Sequence, residues 1–276
     1  MKSTSAWEPK LVTAFMQEYA TVIANVFAER MGVAENMHFQ PLKTDAGRLV
    51  GILSAGKAAM VVKHYGDDDT GFRREVQALG NLASSGVVPK VYFADIDRRL
   101  VMMQRVPGKT LGKTLNPSNV LAQCRALGAA IRAANDTSVR LHTTDTWAEY
   151  LGRVPRTANS LVLEGQHGLL QQLAIRHLTL AGNDGGLDNV IVRPDGRHVL
   201  IDFHRARMKP LGWDVFMAAT TLARVFPGHC SRIADGLADG YWPGNEGQAA
   251  RFAAVAKVFM LALTFEQAAA DAAGNA

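Results

Sequence analysis

The residues best suited to chemistry fall in one stretch, 178 to 207, which reads LTLAGNDGGLDNVIVRPDGRHVLIDFHRAR. Asp184 is followed five positions on by Asn189, and Asp202 closes the apolar run Val199-Leu200-Ile201. An earlier apolar run, Val190-Ile191-Val192, is separated from that one by Pro194-Asp195-Gly196. Two short β-branched runs around a Pro/Gly turn predict a hairpin. A hairpin brings its ends together, which places Asn189 beside Asp202 at the open end, with Asp184 on the loop feeding the first strand. Two carboxylates and an amide oxygen at one mouth suit a hard divalent cation together with a proton acceptor.

Further groups must be positioned upstream. Lys63 sits in the apolar run Val61-Val62-Lys63-His64-Tyr65, where an ammonium is costly unless it finds a partner or faces solvent at a sheet edge. Glu75 is the partner candidate. It lies in FRREVQALGNL, whose Phe72, Val76, Leu79 and Leu82 recur at helical spacing. A plain surface glutamate is the alternative.

The elements that would carry these groups follow from periodicity. Leu11, Phe15, Tyr19, Val22, Val26 and Phe27 mark a helix over 8–31, stopped by Met31-Gly32. The runs at 37–43, 49–54 and 58–65 predict an antiparallel meander with tight turns. Two more strands are expected over 88–106 around the turn at Asp97-Arg98-Arg99, before Pro107-Gly108 breaks the pattern. Beyond that point helices are expected at 117–135, 160–177, from Gly212 onward and at 248–270, with helix and loop over 138–158 around Trp147, Tyr150 and Leu151. His167 and His177 have no metal-like spacing and read as packing or surface residues. The chain is therefore α+β, with an N-terminal helix and β-rich part over 1–106 and a mostly helical part over 107–276.

The 276 residues suffice for a large core, and 48% hydrophobic with 20% charged is ordinary for a folded protein. A formal charge of +5 and a pI near 9.3 lean gently toward an anionic ligand, but no charge run is dense enough for nucleic acid. Cys124 and Cys230 are far apart and lack metal-ligand spacing, which favours a reduced, cytoplasmic setting. Glu8, Lys10 and Glu18 interrupt any signal-like apolar run, and no stretch of eighteen apolar residues suggests a membrane span.

In this order, Lys63, Glu75, Asp184-x4-Asn189 and Asp202 resemble the protein-kinase-like superfamily, including aminoglycoside and choline phosphotransferases. More narrowly, Ile201-Asp202-Phe203-His204-Arg205-Ala206-Arg207 is similar to the Ile-Asp-Leu-His-Arg-Ala motif of bacterial lipopolysaccharide core (heptose/Kdo) kinases. The resemblance implies a two-lobed fold, ATP and Mg2+, and a sugar hydroxyl of the lipopolysaccharide core as acceptor, with peripheral contact to the inner membrane. It implies that Lys63, fixed by Glu75, holds phosphates, that Asn189 and Asp202 bind the metal, and that Asp184 receives the hydroxyl proton. Gly47 falls in the nucleotide loop. Gln104 to Gly108 is the hinge for the base, so Gln104 and Val106 join the binding set, with Met102 and Met103 as pocket or core residues. Asp214 is expected to brace the catalytic loop. Gly182-Asn183-Asp184 replaces the usual His-Arg-Asp or His-Gly-Asp, whose histidine organises backbone, and Gly186 stands where many relatives carry Lys or His. A small-molecule or protein phosphotransferase, or a nucleotide-binding scaffold without turnover, are the alternatives.

Overall fold

The computed structural model describes residues 9–32, 36–45, 48–142, 177–182 and 186–247, together with 249, 250, 252 and 256. Residues 160–176 of the expected 160–177 helix, most of the expected 248–270 helix, and Trp147, Tyr150, Leu151 and His167 lie outside the described residues.

The chain opens with α1 (Pro9–Met31), after which Gly32 turns the backbone at φ +71°. The meander follows as β1 (His38–Asp45), β2 (Arg48–Ala55) and β3 (Ala58–His64). Helix α2 (Asp69–Asn81) then leads into β4 (Val91–Asp95) and β5 (Leu100–Gln104). All neighbours in this sheet pair antiparallel, in the order β1-β2-β3-β5-β4. Strand β3 is therefore internal, and Lys63 is not an edge lysine.

Alternation along the strands assigns the two faces of this sheet. Leu49, Leu53, Met60, Val62, Leu100 and Met102 pack beneath α1 against Phe15, Ile23 and Phe27. Tyr65, Val101 and Met103 turn the other way, into a second core shared with Phe72, Leu79 and the helical part. Met102 and Met103 thus face opposite sides, and Met102 belongs to the core under α1 rather than to any pocket in the cleft.

Past β5, a short β6 (Lys109–Thr110) pairs with β9 (Val190–Val192), which pairs in turn with β10 (His198–Leu200). The chain approaches so closely here that a Cβ on Gly108, at φ +143°, would collide with the Val192 carbonyl oxygen. A one-turn α3 (Leu111–Thr114) and the long α4 (Val120–Thr137) come next. The 138–158 segment departs from the expected helix and loop at its start, where β7 (Arg140–His142) forms. His177 likewise opens a strand, β8 (His177–Ala181), rather than ending a helix. Strand β8 is held between β7 and β11 (Arg207–Pro210), so its backbone groups are satisfied by neighbours distant in sequence.

Two helices follow in the C-terminal part, α5 (Trp213–Val225) and α6 (Cys230–Tyr241), and the described residues at 246, 247, 249, 250, 252 and 256 are helical as well. Helix α6 lies against α4 at small residues. A Cβ on Gly240 would strike the Arg125 carbonyl oxygen, and one on Gly128 the Leu237 carbonyl oxygen. The Tyr241 hydroxyl donates to Asn135 Oδ1 at 2.7 Å within the same buried contact. Gly240→Ala is accordingly expected to cost about 1–3 kcal/mol by overpacking, despite alanine's better helix propensity. Gly80→Ala, on α2 with open space around it, is expected to stabilise by about 0.4–1 kcal/mol. Urea denaturation of both variants checks this, and an unchanged Gly240→Ala midpoint would refute the close packing.

Candidate active site

Lys63 is the last residue but one of β3, on the face turned away from α1 because Met60 and Val62 occupy the other. Helix α2 begins where the Asp68 carboxylate caps it, accepting the Gly71 N–H at 2.8 Å. On this helix Glu75 is buried completely, at 0% exposure, so it is not a surface residue. Lys63 Nζ reaches Glu75 Oε1 at 2.7 Å and Oε2 at 3.0 Å, and Asp202 Oδ1 at 3.0 Å. The Tyr65 hydroxyl donates to Glu75 Oε2. One ammonium therefore ties together a strand, a helix and the end of the downstream hairpin. Burial works against its charge, but the two carboxylates outweigh that and raise the Lys63 pKa above its ordinary value. Burial together with the Glu75 carboxylate keeps the Tyr65 phenol protonated.

The predicted hairpin is present. Val190 pairs with Leu200 and Val192 with His198, and the Arg193 N–H bonds the Arg197 carbonyl across the turn at 2.9 Å. Gly196 supplies the positive φ, +80°, that this turn needs. At the open end the Ile201 N–H donates to the Asn189 carbonyl at 2.9 Å, which sets Asn189 next to Asp202. Asp202 itself holds φ +66°, a left-handed backbone that aspartate tolerates better than most residues. His204 Nδ1–H donates to its Oδ1 at 2.9 Å. Burial alone would raise the Asp202 pKa. The His204 hydrogen bond and the Lys63 charge overcome it and hold the carboxyl well below the usual range.

Lys63, Asn189 and Asp202 line one cavity of about 140 Å3, together with Tyr65, His204 and, at its rim, Lys43 and Arg48. Lys43 on β1 and Arg48 on β2 flank the loop that contains Gly47. An ionised carboxylate, an amide oxygen and several cations in one recess form a donor set that fits a magnesium-bound polyphosphate. Asp202 and Asn189 would hold the metal, and Lys63 the phosphates. Bound there, the metal supplies neutralisation of phosphate charge.

Gly47 and Asp184 lie outside the described residues. Gln104 ends β5, and its N–H is taken by the Lys90 carbonyl at 2.8 Å. Among the hinge candidates, the Gln104 N–H is thus already engaged within the sheet edge. Asp214 is buried in the first turn of α5. Tyr65, His204, Lys43 and Arg48 were not singled out from sequence. Tyr65 could have been, since residues two apart on a strand share a face, which puts it beside Lys63. His204 depends on the backbone bend at Asp202, which periodicity does not report.

The departure at Gly182 has a steric counterpart. A Cβ at this position would collide with the ring of Phe203, which is itself buried next to Asp202. Phe203 occupies the space a side chain at 182 would take.

A five-stranded antiparallel sheet over a helical part, with a Lys–Glu pair facing the Asp at a hairpin mouth, is the two-lobed kinase-like fold. Residues 38–252 match the phosphotransferase enzyme family, and the chain belongs to that family. No curated protein matches the sequence. Among solved structures, it is similar to a choline kinase from Streptococcus pneumoniae (TM-score 0.54, 14% identity, 89% of this chain and 91% of that one). It also resembles a choline/ethanolamine kinase family protein from Mesorhizobium loti (0.55, 15%, 91% and 87%) and an ethanolamine kinase from Plasmodium vivax (0.57, 12%, 92% and 84%). At these identities the likeness concerns the fold. Among the described residues, no helix is long and apolar enough to cross a membrane.

Proposed function

We propose that the protein is an ATP-dependent kinase that phosphorylates a sugar hydroxyl of the lipopolysaccharide core, using Mg2+. The observation that carries the transfer chemistry is the meeting of Lys63 with Glu75 and Asp202 in the cavity that also contains Asn189. The solved structure of the Streptococcus pneumoniae choline kinase with AMP supports a nucleotide in the same fold. The acceptor reading rests on the Ile201–Arg207 segment and its likeness to lipopolysaccharide core kinases. We place the division between the lobes near residue 106, so the nucleotide lies between 1–106 and 107–276, with Gly47, Gln104 and Val106 on its base and phosphate side.

In the reaction, Lys63 orients the phosphates, and Asp202 and Asn189 would hold a metal that would neutralise phosphate charge. Asp184 takes the proton of the acceptor hydroxyl as its oxygen bonds to the γ-phosphorus. The bond from that phosphorus to the bridging oxygen breaks, and ADP leaves with the electron pair. Positioning and charge neutralisation supply most of the rate in such transfers. A lipid-linked acceptor would bring the protein to the cytoplasmic face of the inner membrane as a peripheral visitor.

The test is ATP consumption by the purified chain against a panel of core sugars, choline, ethanolamine and an aminoglycoside. Turnover with a core sugar and not with the amines is expected. Turnover only with an amine would replace the acceptor assignment, and none with any acceptor would leave a nucleotide-binding scaffold.

A further inference from the structure

A second and larger cavity, of about 670 Å3, adjoins the first, and Arg48 and His204 line both. Its described lining has a pronounced charge. Arg48 from β2, Arg74 from α2, and Arg205, Arg207 and Lys209 from the segment after Asp202 all contribute to it. The one carboxylate among the described lining residues is Asp68, and it caps α2 through the Gly71 N–H. Trp213 adds an aromatic face, with Lys209 Nζ 4.1 Å from its ring centre.

Five cations around one concave space raise its potential and draw anions into it. Guanidinium groups in particular match the paired oxygens of phosphate and carboxylate. An ammonium or quaternary amine would meet the opposite field, and the aromatic face it would need is already covered by a cation. The position suits an acceptor, since a group held here stands next to His204, which bonds Asp202 in the adjoining cavity.

We infer that this cavity is the acceptor site, and that it takes a hydroxyl compound already carrying a phosphate or carboxylate, its anion held by Arg207, Lys209 and their cationic neighbours. The inference rests on the phosphotransferase reading and names the acceptor class of that same site. It separates this chain from choline- and aminoglycoside-type acceptors by charge, not by size.

The full chain is titrated calorimetrically in two states, free and with Mg2+ and the non-hydrolysable analogue AMP-PNP filling the nucleotide site. The probes are glucose 6-phosphate, Kdo, glucose and choline. One or both anionic sugars are expected to bind in both states, more weakly as salt rises, while glucose and choline do not. Which of the two binds identifies phosphate or carboxylate as the anchored group. Arg207→Gln and Lys209→Gln, made separately, are each expected to weaken that binding about 10-fold or more, the worth of one charge-assisted hydrogen bond. Their AMP-PNP affinity is expected to stay within about twofold of the wild type. Choline or glucose binding as tightly as the anionic sugars, or no anionic sugar binding, overturns the inference. So does anion affinity unchanged in both variants. Failure of AMP-PNP to bind counts against the kinase reading alone, because the titrations of the free chain still judge the cavity.

Discussion

Asp202→Asn is expected to remove the magnesium dependence of ATP binding and to lower turnover on the order of 10³-fold, corresponding to the several kcal/mol that a bound metal ion contributes to charge stabilisation. Asparagine is the informative replacement because Asp202 holds a left-handed backbone at φ +66°, which asparagine also tolerates and alanine does not. The substitution thus removes charge with little backbone cost. It leaves Lys63 paired with Glu75, since those contacts do not involve residue 202. Calorimetric titration of ATP with and without Mg2+ reads the effect directly, and thermal unfolding checks that the fold persists. An Asp202→Asn protein whose ATP affinity still rises with Mg2+ as in the wild type would remove Asp202 from the metal site.

A different pattern is expected at the proton acceptor. Asp184→Asn is expected to leave ATP affinity within a few-fold while cutting turnover by about 10²–10⁴, the usual contribution of a general base. The distinction between the two variants is diagnostic, because one loses ligand binding and the other loses only rate. Single-turnover phosphorylation of the acceptor, measured beside equilibrium ATP binding, makes the separation. Equal rates in the Asp184→Asn variant and the wild type would show that another group takes the proton, or that no transfer occurs.

The parts of the site legible in sequence were those fixed by local pattern. The hairpin around Pro194-Asp195-Gly196 was readable because turn chemistry and β-branched runs are short-range signals, and its register places Asn189 beside Asp202. The Lys63–Glu75 contact was readable because an ammonium in an apolar strand needs a partner and a helix follows at once. Strands β7, β8 and β11 were not readable. Each is short, and their pairing joins segments far apart in the chain, so nothing in the run Arg207–Pro210 announces a strand. The basic cavity was equally hidden. Arg48 and Arg74 are ordinary surface arginines in sequence, and only the docking of α2 and β2 on the segment after Asp202 sets them beside Arg205, Arg207 and Lys209. The tight α4–α6 contact is likewise illegible in sequence, since Gly128, Gly236 and Gly240 look unfavourable in helices apart from the backbones they admit.

The fit of the Phe203 ring over Gly182 bears on how the segment from residue 182 onward could be exchanged with others. A histidine introduced at 182 has no volume to enter while Phe203 keeps its ring. Shortening Phe203 alone opens a void beside Asp202 instead. Neither half of the exchange is neutral, so the two positions behave as one inheritable unit. A loop transplanted from a histidine-bearing kinase has to bring its own partner for residue 203, and stepwise mutation between the two loop types must cross a strained or hollow intermediate. At position 182, therefore, this chain is separated from the histidine type by packing against Phe203 and not only by a missing residue.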